Sequence, residues 1–203
     1  MSLTGRHLRN PVLVTVPYLT VGGQVFVGGK TIAQLQALGT STDPAVSATA
    51  PRTVAYDTTN ERWVYCQTAA ASSSTWAYRW VEHMRTLGAL TTKQYWNWCD
   101  TGQLADLTTP ASQNLRLAAG ALLSVKQYTV SSPGSTIVGL HINENATALE
   151  TVTVTPSGGG VVTTYAFTAA AVYSAGNRIS ISQDPTSAPG LQYATVEGWE
   201  LSV

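Results

Sequence analysis

Over residues 113–203 apolar and polar positions alternate in short runs, and each run ends at a cluster of turn-forming residues. The pattern predicts strands over 114–120, 121–130, 135–143, 148–155, 160–168, 177–183 and 192–201. Between them stand Ser131-Ser132-Pro133-Gly134, Asn143-Glu144-Asn145, Ser157-Gly158-Gly159-Gly160 and Ala175-Gly176-Asn177, residues that accept a positive φ or preset a turn. Val138, Leu140 and Ile142 share one face of their strand, which puts His141 on the other, and Ile179 and Ile181 share a face of theirs. Turn signals about every 8–12 residues, with no helical period between them, predict an antiparallel sandwich or barrel.

The first half of the chain is less regular. Two β-branched runs flank Gly22-Gly23, which predicts a hairpin turning at Val21–Gln24. A short helix is predicted over 31–38, stopped by Gly39. Gly28-Gly29-Lys30-Thr31 superficially suggests a phosphate loop, but Gln24 stands where that motif requires its first glycine. Residues 41–51, rich in Ser, Thr, Ala and Pro, read as a linker. Residues 54–66 predict two strands joined across Asp57–Glu61, whose side chains suit turn hydrogen bonds. Trp76, Trp80, Met84 and Leu87 fall at i, i+4, i+8 and i+11, so residues 74–88 predict an amphipathic helix. Thr91 and Gln94 fit a capping box for a second helix ending near Gly102.

Five of the six tryptophans lie between Trp63 and Trp98. Packing, subunit contact and sugar stacking are all open to such a cluster. On a helix Trp96 and Trp98 cannot both face one core, so Trp96 and Trp98, with Arg79 and Arg85 nearby, form the candidate docking or ligand surface. Thr108-Thr109-Pro110-Ala111-Ser112 reads as a boundary. The expected organisation is a 1–110 region of arm, hairpins and Trp-rich helical insert, followed by a 111–203 β-domain.

Charged residues make up 11% of the chain, against roughly 25% in a typical globular domain. So sparse a charged surface suits one covered by copies of itself or by neighbours. The formal net charge is zero, with no basic stripe of the kind nucleic acid requires. The two cysteines, Cys66 and Cys99, read as free thiols. No apolar stretch is long enough for a membrane span. His7, His83 and His141 show no metal spacing, and no nucleophile motif or convincing carboxylate pair is present. A non-enzymatic protein without a cofactor is therefore expected.

Two stretches carry a resemblance. One runs Ile142-Asn143-Glu144-Asn145-Ala146-Thr147-Ala148-Leu149-Glu150-Thr151-Val152-Thr153-Val154, then Ala175-Gly176-Asn177-Arg178-Ile179-Ser180-Ile181, then Glu197-Gly198-Trp199-Glu200-Leu201. It resembles the jelly-roll head domains of bacteriophage fibres, spikes and capsid appendages, although Asn145-Ala146 replaces the usual Asn-Gly turn and Asn177 replaces an Asp. The other, Tyr56-Asp57-Thr58-Thr59-Asn60-Glu61-Arg62-Trp63-Val64-Tyr65, resembles small hairpins of phage fibre proteins. The resemblance implies a mainly β virion protein with a C-terminal jelly-roll sandwich. It would be a homotrimer, attached by its N-terminal region to other virion proteins, with binding of a host-surface glycan as a further role. A capsid decoration protein and a carbohydrate-binding module are the other readings.

Overall fold

The computed structural model describes residues 18–49, 52–86, 93–98, 114–131, 134–143, 145, 147–187 and 192–203. The N-terminal arm, Leu87, Cys99, Gly102 and the expected boundary at 108–112 lie outside the described residues. The fold is mainly β, and no described helix is long and apolar enough to cross a membrane. The chain divides into two compact units, 1–74 and 75–203.

In the first unit β1 (Tyr18–Val21) and β2 (Gln24–Lys30) form the expected hairpin. Gly22 and Gly23 both take positive φ, 56° and 82°, as a tight two-residue turn between twisted strands demands. Helix α1 (Ile32–Gln36) follows at once. The Thr31 side chain accepts from the Gln34 N–H, and the Gln34 side chain accepts from the Thr31 N–H, so the two residues close a capping box. The chain then crosses back to lay β3 (Val54–Asp57) parallel to β2, and β4 (Arg62–Ala69) antiparallel to β3. The carboxylate of buried Asp57 organises the β3–β4 turn. It accepts from the N–H groups of Thr59 (2.9 Å) and Asn60 (3.4 Å) and from the Asn60 side-chain amide (2.7 Å).

The second unit has two antiparallel sheets. One orders β5 (Ser74–Thr86), β15 (Gln192–Leu201), β9 (Gly120–Thr129) and β12 (Val162–Ala166), with β13 (Val172–Tyr173) on β9 and β7 (Asn97–Trp98) on β5. The other orders β11 (Glu150–Val154), β10 (Thr136–Ile142), β14 (Arg178–Pro185) and β6 (Gln94–Tyr95), with β8 (Asn114–Leu115) on β14. Both contribute to one core. From the first come Trp80, Met84, Leu122, Val125, Tyr165, Ala194 and Val196, and from the second Val138, Leu140, Ile179 and Ile181, with Trp96 beside β6. The turns expected at Gly134, Asn143, Gly160 and Gly176 all carry positive φ.

Two expectations are corrected. Residues 74–86 are a thirteen-residue strand, not a helix. A spacing of four is also a multiple of two, so Trp76, Trp80 and Met84 fit a strand face as well as a helix face. Tyr78, half-buried between them, joins that face. Ten residues of the strand pair with β15, from Ala77↔Leu201 to Thr86↔Gln192. The second helix is likewise absent where it is described, because residues 94–98 form β6 and β7. These strands place 75–98 in the same unit as the C-terminal strands, so the division falls well before residue 110.

Candidate functional site

Of the residues singled out from sequence, Trp96 is 0% exposed. It links β6 to β7, its backbone N–H donates to the Ile181 carbonyl at 2.9 Å, and its ring belongs to the core. The expectation of an outward ring assumed a helix, and residues 94–95 and 97–98 form short strands instead. Trp96 is not a surface residue of the folded chain. Arg79 is exposed and forms a surface ion pair with Glu197 across β5 and β15, at 2.6 Å. The side chains of Arg85 and Trp98 lie outside what is described.

The charges around Arg116 in the second unit form a network. Arg116 lies 3.1 Å from Glu82 and 3.5 Å from Glu200, and its guanidinium stacks 3.8 Å over the Trp80 ring. Glu200 also accepts from the Tyr78 hydroxyl at 2.5 Å, and Asn114 donates to Glu82 at 2.6 Å. The Tyr173 hydroxyl accepts from the Trp80 indole at 3.0 Å and shares its own hydrogen between the Trp199 carbonyl and Glu200. Burial first, and the Glu200 charge second, push the Tyr173 phenol up. Both carboxylates are engaged by donors, which is the arrangement of a structural network.

His141 is buried on the face of β10 opposite Val138 and Leu140. The Asn145 carbonyl, 2.9 Å away, can only accept, so Nδ1 carries the proton and Nε2 accepts from the Ser182 hydroxyl at 2.7 Å. Tyr95 meets the imidazole edge-on, with ring centroids 4.9 Å apart. Burial is the main cause that holds the imidazole below its usual pKa, and the nearby Lys93 charge acts the same way. Backbone bonds from Asn145 and Thr147 oppose them. Ser182 is also buried, so its hydroxyl is not offered to a substrate.

Among the described residues, a surface with binding geometry lies in the first unit. One side of its sheet is core, where Val27, Ala55, Val64 and Cys66 are buried along with Leu35 of α1. Register puts the alternate residues on the other side. Leu19 pairs with Phe26, Phe26 with Val54, Val54 with Tyr65 and Tyr56 with Trp63, so five of these six positions beyond Val54 carry a large apolar or aromatic group. Trp63 is 61% exposed. It meets Tyr56 edge-to-face, with centroids 5.5 Å apart and planes at 69°. At the far end Arg52 stacks over the Tyr65 ring at 5.1 Å and donates to Gln67 at 2.8 Å.

Between β1 and Trp63 this face sinks into a groove of about 270 Å3. Tyr18, Leu19 and Phe26 line one side, Tyr56 and Trp63 the other, and Val27, Gly28 and Gly29 lie between. The register between β2 and β3 jumps from Val27↔Ala55 to Lys30↔Asp57, so Gly28 and Gly29 bulge opposite the single Tyr56. A Cβ on Gly28 would meet nothing within 4 Å. The 57–61 turn and the two strands flanking it were legible in sequence. Its outward aromatic face was not singled out, because which side of a strand faces the core depends on where α1 packs.

Comparison of the sequence with known protein families and with curated proteins finds no match.

Proposed function

We propose that the chain is a non-enzymatic structural protein of a bacteriophage particle, a homotrimeric fibre or spike. Its N-terminal region attaches to other virion proteins, and its second unit projects as a jelly roll. The observation that carries this reading is strand order. Taken along the chain, β5, β6, β9, β10, β11, β12, β14 and β15 pair first with last, second with seventh, third with sixth and fourth with fifth. One long hairpin rolled into two sheets pairs in this way, which supports reading the unit as a jelly roll, a sandwich used by viral capsid and lectin domains. The step from fold to particle is analogy, and it joins the two sequence resemblances.

The trimer draws support from the low charge and from the outward face of the first sheet of the second unit. There Tyr193, Tyr128 and Val162 line up across β15, β9 and β12, all exposed. Such a row gains by burial against copies at about 25 cal/mol per Å2, and closed rotational symmetry leaves no open patch to propagate.

The test is sedimentation of the full chain at micromolar concentration, together with averaged images of particles that carry it. A trimer seen at a fibre or spike supports the reading. A monomer that no particle contains overturns it. Many copies spread over the shell would instead make it a decoration protein.

A further inference from the structure

We propose that the groove of the first unit is a saccharide-binding site that takes a neutral glycan chain, with the Trp63 ring as its stacking platform. The proposal does not depend on the particle reading, because the chain binds glycan or fails to whatever assembly it belongs to.

The aromatic rings on this face are not needed to fill the core of their own unit. Val27, Ala55, Val64 and Leu35 already occupy the opposite side of the sheet and are buried there. A single exposed apolar residue carries no meaning, but several rings gathered along one groove mark a contact surface. Tyr56 holds Trp63 edge-on, so the platform is already ordered and binding need not order it.

Chemistry selects the occupant. None of the groove-lining residues is charged, so an ionised ligand finds no counter-charge in it. A nucleic-acid strand stacks on rings too, but its phosphates require a basic track alongside. A proline-rich segment docks between facing aromatic rings. Here the direct contact of Tyr56 with Trp63 closes the slot between those two rings. A pyranose has a C–H face and a rim of hydroxyls. The negative face of an aromatic ring attracts the first. Tyr56, in the lining, suits the second, since a phenol both donates and accepts. The Gly28-Gly29 bulge adds backbone groups displaced from the regular ladder, with no side chain to keep a ligand away. At about 270 Å3 the groove sits near the lower end of small-ligand sites, so it takes a short stretch of a chain.

The test uses the full chain, with soluble linear neutral oligosaccharides of the cello, malto and chito series as probes. An oligogalacturonate serves as the anionic control and a polyproline peptide as the rival ligand. Two variants act on the groove by different routes. Trp63→Ala removes the platform, and Gly28→Val adds bulk to the groove lining at a position where an added Cβ meets nothing within 4 Å and the backbone is not left-handed. Circular dichroism and thermal melts establish that each variant is folded. Calorimetry should give a dissociation constant of about a millimolar or tighter for at least one neutral series, weakened about tenfold or more in either folded variant. In the unaltered chain that saccharide should shift the Trp63 indole N–H resonance and leave that of buried Trp96 in place. No binding by any neutral series at up to about ten millimolar overturns the proposal. So does undiminished binding by a folded variant, tighter binding of the oligogalacturonate or the peptide, or a saccharide-induced shift that spares Trp63.

Discussion

Replacing Arg116 by Met separates the charge of the buried network from its bulk. The methionine keeps much of the side-chain volume over Trp80 but withdraws the cation that Glu82 and Glu200 share. Removing one partner of a buried ion pair typically costs about 3–5 kcal/mol, because the other charge is left uncompensated. Two features favour the lower end. Glu82 is 24% exposed at its side chain, so water reaches it, and Glu200 keeps the Tyr78 hydroxyl. The lost stacking on Trp80 adds about 0.5–1 kcal/mol. The expected loss is therefore about 3.5–4 kcal/mol, or a fall of about 7–16 °C in melting temperature for a chain of this size.

A second substitution tests the cause. In the variant Glu200 is a buried carboxylate without its cation, so adding Glu200→Gln to Arg116→Met should recover part of the loss at about pH 7. Urea unfolding of wild type, variant and double variant measures both quantities. A loss below about 1 kcal/mol, or a double variant no more stable than Arg116→Met alone, would refute the reasoning.

Residues 75–203 should fold cooperatively as an isolated chain, whereas 111–203 should not. The shorter piece lacks Trp80, Met84 and Trp96, each worth about 1.5–3 kcal/mol when buried, against a total stability of about 5–15. A cooperative urea transition in the shorter piece would show that the β5 to β7 strands are dispensable. The folded His141 imidazole resists protonation more than the unfolded one, so stability should decline as pH falls below about 6.5 toward the lower folded value. His141→Gln should flatten that decline, and an unchanged slope between about pH 7 and about pH 5 would assign it to other groups. Burial pushes the Cys66 thiol up to about 11 despite the opposing Arg52 charge, so in a Cys99→Ser variant it should ignore a thiol reagent near pH 8 and react fully in urea. Rapid labelling of the native chain would show that the thiol is accessible.

The strands of the last ninety residues were legible because their turns are punctuated chemically. Gly134, Asn143, Gly160 and Gly176 sit where the backbone takes positive φ, and the sequence marks each one. Partners were not legible, because nothing local says that β5 lies beside β15, more than a hundred residues away. The misread stretch shows the limit of periodicity. Trp76, Trp80 and Met84 satisfy both repeats, and only the intervening Tyr78, also directed toward the core, breaks the tie. That single error produced the next one. With a helix assumed, Trp96 and Trp98 had to diverge, whereas Trp96, between two short strands, is buried in the core.

The two units use their aromatic residues differently, and this difference locates the candidate function. In the second unit Trp80, Trp96, Tyr165 and Tyr173 are core, and even the polar edges of Trp80 and Tyr173 are bonded to each other. Those rings supply the packing volume of a sandwich with few leucines, so replacing them costs stability before it reveals any binding. In the first unit small and aliphatic groups do the packing, and the rings of Phe26, Tyr56, Trp63 and Tyr65 lie on the other side of the sheet. A ring that packs no core can be changed with little loss of fold, so a measured effect reports on contact with another molecule. Trp63 is therefore where a substitution separates recognition from stability, a separation that the buried Trp96 cannot give.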